Sequence, residues 1–189
     1  MSRRRKYMNV KGGSTSYQRI EYLGFTGTQK INIGFGAETS NRVIVDAVSS
    51  VATGGPKILV GISTAAANWF GCAGVNWGFG TAGGANSNIS ATTRMTADIT
   101  FGANIITGTV NNVYIERNST SSAGYYSISI TEYAFKGNVY SCQFYDGNSI
   151  ICDLVPVRVE QVGYMYDRVS GELFGNAGTG DFVLGPDIN

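Results

Sequence analysis

Apolar and polar side chains alternate with a period of two along most of this 189-residue chain. Tyr126, Ile128 and Ile130 alternate with two serines and a threonine, and the run 140–145 repeats the pattern. Because successive side chains of a β-strand point to opposite faces, this alternation predicts half-buried strands. No apolar pattern of helical period extends beyond two turns. We therefore expect an all-β chain with roughly a dozen short strands.

Turn-forming residues separate the strand-like runs. Asp146-Gly147 lies between the apolar pairs 144–145 and 150–151, and Asp-Gly favours a tight hairpin because both residues tolerate positive φ. Only 14% of the residues are charged, whereas glycine, tyrosine and phenylalanine number 26, 11 and 9. This composition argues against disorder and favours many strands joined by tight turns. Two packed antiparallel sheets, a β-sandwich, are the expected architecture.

Basic residues are concentrated at the start of the chain. Residues 1–11 contain five arginines and lysines and no acidic residue, and a Gly-Gly-Ser-Thr-Ser linker follows. We therefore divide the chain into a basic arm, residues 1–16, and one domain, residues 17–189. The candidate anchoring residues for a partner protein are Arg3, Arg4, Arg5 and Lys6. Nucleic acid is disfavoured because only the arm is basic; the alternative is a loose, solvated terminus.

Histidine is absent from the sequence, which removes the commonest general base and the commonest metal ligand. Sites of the Ser-His-Asp and Cys-His types, and zinc sites that use histidine, are thereby excluded within this chain. Glycoside hydrolysis needs two carboxyl groups that flank the scissile bond, and each glutamate here is isolated along the sequence. No glycine-rich phosphate loop leads into a helix. We predict that the chain is not an enzyme and carries no cofactor.

Cysteine does not form a metal site in this sequence, and aspartate leaves calcium as the one alternative. Three cysteines occur, an odd number with no CxxC pair, and we expect buried free thiols. They are Cys72, Cys142 and Cys152. Calcium is an alternative, and its candidate ligands are Asp46, Asp98 and Asp153. Because none belongs to a dense acidic loop, we expect each instead to cap a turn or to pair with an arginine such as Arg158.

Both ends of the domain carry recognisable strings. The opening string is YQRIEYLGFTGTQKINIG (17–34). The closing strings are KGNVYSCQFYD (136–146), ICDLVPV (151–157), VGYMYDRVSGELFGN (162–176) and GTGDFVLGP (178–186). They resemble the concanavalin A-like lectin/glucanase superfamily in its laminin-G-like form, as found in surface proteins of phages and gut bacteria. The resemblance implies a jelly roll of two curved antiparallel sheets and a carbohydrate-facing or particle-surface role.

A sugar site would need an exposed aromatic platform with amides beside it, because rings cover the apolar face of a pyranose. The segment 63–93 sets large rings among small residues. The candidate carbohydrate-binding residues are Asn68, Trp69, Asn76, Trp77 and Phe79. The alternative is that both tryptophans belong to the core, the usual place for tryptophan in a sandwich.

The leading hypothesis is a non-enzymatic phage virion structural protein, such as a capsid decoration, head fibre or tail component. Its arm would attach to other virion proteins, and its lectin-like domain would contact cell-surface or mucin glycans as a homo-oligomer. The sequence shows no secretory signal and no membrane-spanning apolar run. We therefore expect synthesis in the host cytoplasm, release with the virion and no membrane partner. The alternatives are a bacterial carbohydrate-binding module without a particle and a divergent glycosidase.

Overall fold

The computed structural model describes residues 16–36, 42–51, 57–61, 69–79, 85–102, 104–118, 125–129 and 134–189. Within these ranges every regular element is a strand, which confirms the all-β prediction. The described residues also contain no helix long and apolar enough to cross a membrane. The anchoring residues Arg3, Arg4, Arg5 and Lys6 lie outside the described residues.

The strands are numbered in chain order. They are β1 (Gln18–Arg19), β2 (Leu23–Thr26), β3 (Ile31–Gly36), β4 (Arg42–Ser49), β5 (Lys57–Gly61), β6 (Trp69–Ala73), β7 (Asn76–Phe79), β8 (Asn86–Ser90), β9 (Met95–Phe101), β10 (Ile105–Val110), β11 (Val113–Asn118), β12 (Tyr125–Ile128), β13 (Lys136–Asp146), β14 (Ser149–Val159), β15 (Val162–Asp167), β16 (Leu173–Phe174) and β17 (Val183–Leu184).

The strands form two sheets. The larger has 11 strands, in the order β11-β10-β9-β4-β13-β14-β15-β16, with β1 beside β14, β2 beside β13 and β17 beside β2. The smaller has six, in the order β3-β12-β5-β6-β7-β8. Every ladder between these strands is antiparallel. Two antiparallel sheets around a shared core agree with the predicted β-sandwich.

Strand β4 explains why the larger sheet has one buried face. Val43, Val45 and Ala47 are fully buried in the core, whereas Arg42 and Asp46 point the other way and are partly exposed. The β-branched residues fit a pleated surface, and their alternation with charged residues fixes which face turns inward. The predicted half-buried pattern is confirmed on this strand.

The Asp146-Gly147 hairpin is confirmed as well. Strands β13 and β14 pair antiparallel down to Asp146 and Ser149, and Gly147 takes a φ of 56° between them. A residue with a side chain would adopt that left-handed backbone less readily than glycine does. The hairpin therefore joins the two longest strands of the molecule, at 11 residues each.

The two ends of the domain pack together. Residues 18–26 lie beside β13 and β14 on one side and beside the C-terminal residues 183–188 on the other. The backbone N–H of Glu21 donates to the carbonyl of Pro186 at 2.8 Å, and that of Ile188 donates to Arg19 at 3.0 Å. The first and last strands of the chain therefore lie next to each other in the larger sheet.

A second contact, here named the terminal clasp, joins residues 26–30 to residues 176–181. Gln29 is only 1% exposed; its Oε1 accepts from the Thr26 backbone N–H at 2.8 Å, and its Nε2 donates to the Asp181 carbonyl at 2.6 Å. A Cβ on Gly178 would lie 2.1 Å from the Thr28 carbonyl oxygen, so the backbones approach too closely for any other residue. The clasp is built from the opening and closing strings that carry the family resemblance.

We expect Gln29→Ala to lower the free energy of unfolding by about 2 kcal/mol, because a buried amide loses partners on both chain ends. Urea titration followed by tryptophan fluorescence measures the change. Gln18→Ala is the control, since its amide also reaches a C-terminal carbonyl but is less buried, and a smaller loss is expected. Equal losses in the two variants would contradict a special role for the clasp.

Candidate functional site

The aromatic residues proposed as a sugar platform are not on the surface. Trp69 is 1% exposed, and Trp77 and Phe79 are fully buried. Trp77 stacks on Phe70 with ring centroids 5.8 Å apart, and its indole N–H donates to the Thr93 carbonyl at 3.0 Å. Trp77 and Phe79 belong to the core cluster, which contains residues of both sheets, so core packing encloses their rings. The platform prediction is wrong for these three rings, and the core alternative holds.

The polar members of the predicted set do not form a site either. Asn76 is partly exposed at the start of β7, and its Nδ2 donates to the side-chain Oδ1 of Asn86 at 3.5 Å. Asn68 lies outside the described residues. The structure therefore does not bring the five predicted residues together around one exposed surface.

A different surface collects polar and aromatic side chains: the outer face, defined as the side of β4, β9, β10, β11 and β13 that points away from the core. Strand register aligns its side chains in rows that cross all five strands. One row contains Gln143, Ile44, Asp98, Thr109 and Tyr114. The next row contains Tyr145, Arg42, Thr100, Thr107 and Glu116.

The outer face holds a groove of about 540 Å³. It is lined by Ile44, Thr96, Asp98, Thr109, Asn111 and Asn112. Such a volume is within the range of small-molecule sites. Its lining combines two hydroxyls, two amides, one carboxylate and one aliphatic side chain, a mixture that suits a ligand with many hydroxyl groups.

The hairpin between β10 and β11 closes one end of the groove. Asn111 and Asn112 have φ values of 46° and 69°, as a two-residue type I′ turn requires. The Asn111 Oδ1 accepts from the Thr96 backbone N–H at 2.9 Å, and its Nδ2 donates to the Arg94 carbonyl at 3.3 Å. Asn111 therefore ties the turn to β9 and fixes the shape of this end.

Two ion pairs cross from β4 to the β9 segment beside the groove. Arg42 donates to both carboxylate oxygens of Asp98, at 2.8 and 2.6 Å. Arg94 donates to both oxygens of Asp46, at 2.9 and 2.8 Å, and its guanidinium lies 3.5 Å from the centre of the Tyr140 ring. Hydrogen bonding to Asp98 raises the pKa of Arg42, against the lowering effect of burial. Charge at the groove is thus compensated within the protein.

Several polar groups of the groove are open to a ligand. The hydroxyls of Thr96 and Thr109 and the amide of Asn112 make no hydrogen bond to another described residue. Tyr114, at the end of the same row as Thr109, is 60% exposed, and its hydroxyl donates to Glu116 at 2.8 Å. These groups can donate, accept and stack without first breaking a strong internal contact.

The aspartates considered for calcium are each engaged by an arginine. Asp46 and Asp98 hold Arg94 and Arg42, and Asp153 accepts from the Arg168 Nε at 2.9 Å. Pairing with arginine was expected, but Arg158 pairs with Asp187, at 2.6 Å, and not with any of the three. Among the described residues no three His, Cys, Asp or Glu side chains form a metal-binding group.

The three cysteines are buried free thiols, as predicted. Burial raises the pKa of Cys72 to about 11, despite the opposing effects of Ser49 and Lys57. Burial also raises the pKa of Cys142 and of Cys152. Thiolate is the reactive form, so these thiols pack as small apolar side chains and are poor nucleophiles at neutral pH.

Asp167 was not singled out by the sequence reasoning, although it lies in a closing string. It is 3% exposed and accepts from the Asp153 backbone N–H at 2.7 Å and from the Ser170 hydroxyl at 2.6 Å. It also accepts from the backbone N–H groups of Val169 and Ser170. The Asp-x-x-Ser-Gly spacing is the signal that could have identified this capped turn.

The family-like strings build the clasp and the Asp167 turn, whereas the groove is formed by residues 44–112. The resemblance therefore rests on structural features at the chain ends, and the candidate site rests on geometry alone. Membership of the concanavalin A-like superfamily stays a prediction. No family model matches the chain, and comparison with curated proteins and with solved structures likewise found no match.

Proposed function

We propose that this chain is a non-enzymatic, lectin-like structural protein of a phage particle and that its outer face contacts glycans. The observation that carries the proposal is the groove of about 540 Å³ on the outer face. Open hydroxyls of Thr96 and Thr109 and the amide of Asn112 supply directional hydrogen bonds, and Tyr114 supplies an exposed ring beside them. Carbohydrate recognition combines these two kinds of group.

The finer fold assignment, a concanavalin A-like jelly roll, belongs to the same proposal. It is supported by two wholly antiparallel sheets that enclose one core and by a larger sheet whose outer face is polar. A jelly roll of this kind leaves one sheet surface free for a ligand, and the groove lies on such a surface. We therefore propose that residues 17–189 form a jelly-roll lectin-like domain.

The carboxylates near the groove favour binding over hydrolysis. Both oxygens of Asp98 and both of Asp46 receive arginine N–H groups. Glu116 accepts from the Tyr114 hydroxyl. A glycosidase needs one carboxyl group to protonate the leaving oxygen and another to attack or activate water. Because these carboxylates are engaged, a divergent glycosidase is the less favoured alternative.

The position of the domain's first residues suits a tethered protein. The Tyr17 ring packs against that of Tyr166 on β15, tilted by 34° with ring centroids 4.5 Å apart. Five strand-to-strand steps separate β15 from β10, which is about 24 Å at the usual strand spacing. The described chain therefore begins at the side of the larger sheet that lies away from the groove.

A glycan array probed with the full chain tests the binding part of the proposal. We expect Thr109→Val combined with Asn112→Gly to reduce the signal about tenfold, the loss of about two hydrogen bonds. Glycine keeps the positive φ that position 112 requires. Thr107→Val, on the same strand and face but one row away, is the matched control and should bind as the wild type does. No binding to any glycan would contradict the proposal.

The particle part is tested by mass spectrometry of particles banded in a density gradient. We expect peptides of this chain in the banded particles. Glycan binding together with absence from the particles would instead favour the alternative, a bacterial carbohydrate-binding module without a particle.

A further inference from the structure

We infer that the groove selects an uncharged sugar that carries an acetamido group, with the acetamido methyl seated on Ile44. This inference rests on the proposed function, since it names the glycan class that the outer face would take. Three features carry it: the compensated charges of the groove, the place of its one aliphatic side chain, and the spacing between that side chain and the open polar groups.

Charge compensation selects against ionised ligands. The one carboxylate in the lining, Asp98, is held in a bidentate pair by Arg42, with the shorter contact at 2.6 Å. Asp46 is likewise held in a bidentate pair by Arg94. A sugar carboxylate or sulfate would meet no open cation in the lining, and a sugar ammonium would compete with arginine for its anion. A neutral ligand loses no solvation of charge on entering.

Ile44 is the one aliphatic side chain in the groove lining. Its strand neighbours on the same face, Arg42 and Asp46, both reach sideways to the β9 segment and are held there by their ion pairs. Ile44 is therefore a partly exposed apolar spot between two fixed polar groups. A hydroxyl placed there would lose water and gain no partner, whereas a methyl group would gain apolar contact.

The open polar groups lie at a distance from Ile44 that one acetamido sugar can bridge. Thr109 belongs to β10, and β9 runs between β10 and β4, so two strand spacings, about 10 Å, separate Thr109 from Ile44. A pyranose with its acetamido substituent spans such a distance. The ring hydroxyls would then bond to Thr109 and Asn112, the acetamido N–H or carbonyl to the Thr96 hydroxyl on β9 in the adjacent row, and the methyl group would cover Ile44.

Two disaccharides with the same linkage test the inference by isothermal titration. N,N′-diacetylchitobiose and cellobiose are both β-1,4-linked and differ only in acetamido groups that replace hydroxyls. We expect the wild-type chain to bind diacetylchitobiose about tenfold more tightly, the usual effect of one well-placed methyl group. Ile44→Thr keeps a β-branched side chain and should bring the two affinities within about twofold, mainly by weakening diacetylchitobiose.

Val162→Thr is the matched control, because Val162 is 53% exposed on β15, away from the groove, and undergoes the same kind of change. It should leave the tenfold preference intact. The glucosamine disaccharide, which is cationic and lacks the methyl groups, should bind no more tightly than cellobiose; tighter binding would overturn the argument from charge.

The outcomes separate this inference from the proposed function. Equal wild-type affinities for diacetylchitobiose and cellobiose would overturn the acetamido selection and leave glycan binding intact. A preference that survives Ile44→Thr would place the acetamido group elsewhere and overturn the role of Ile44. Binding of neither disaccharide, together with an empty glycan array, would remove the proposed function and this inference with it.

Discussion

Replacing Trp77 with alanine is expected to lower the free energy of unfolding by about 4 kcal/mol, the usual cost of deleting a buried tryptophan. The ring is fully buried, stacks on Phe70 and lies 6.2 Å from the Phe135 ring. Removal of the indole also leaves the Thr93 carbonyl without its hydrogen-bond donor. Urea unfolding monitored by circular dichroism measures the loss.

Trp77→Phe and Val75→Ala complete this experiment. The phenylalanine variant keeps a ring against Phe70 but lacks the N–H donor, so an intermediate loss is expected. Val75 is exposed in the neighbouring turn, and its replacement should change stability by less than about 0.5 kcal/mol. A Trp77→Ala protein of wild-type stability that had lost glycan binding would contradict the core assignment and restore the aromatic platform.

Asp167→Ala is expected to cost about 3 kcal/mol, because a buried carboxylate that accepts four hydrogen bonds is lost. The Asp153 backbone N–H would be left buried without its acceptor. Glu172→Gln is the matched control, since Glu172 lies in the same turn but is exposed, and no significant loss is expected. Urea unfolding at pH 7 provides the measurement, and equal losses in the two variants would contradict the role of Asp167.

The same side chain gives a pH dependence with a definite sign. Burial alone would raise the pKa of Asp167, but its hydrogen bonds outweigh burial and leave the pKa lowered. The ionised form is therefore favoured in the folded state, and its stabilisation is present above the unfolded pKa of about 4 and lost as pH falls through the folded value. The stability gap between the wild type and Asp167→Asn should shrink from about pH 5 downward. A gap that is constant or grows on acidification would contradict this assignment.

The local features of the fold were predictable because each depends on neighbours in sequence. Alternation in the run 140–145 predicted a strand with one apolar face, and Asp146-Gly147 predicted a hairpin turn, since both signals reflect backbone geometry over a few residues. The burial of Cys142 and Cys152 followed from the apolar runs around them. These predictions needed no knowledge of which strands pair.

The placement of the site was not predictable in the same way. Trp77 and Tyr114 are both large aromatic residues on strands, yet Trp77 is enclosed and Tyr114 is 60% exposed. The difference arises because Trp77 points into the core, whereas Tyr114 lies on the outer face of the larger sheet, unlike its buried strand neighbour Ile115. The local sequence does not specify which face of a sheet meets the core, so the predicted aromatic platform was placed on rings that are buried.

The sequence by itself determined the strand class, the central hairpin and the two-sheet architecture, because period-two patterning and turn residues act locally. Tertiary structure alone decided which faces meet water and which side chains meet each other. The groove brings together Ile44 and Thr109, which are far apart in sequence, and the clasp joins Gln29 to Asp181. Exposure and long-range contact are properties of packed sheets, so only the assembled structure locates the candidate binding surface.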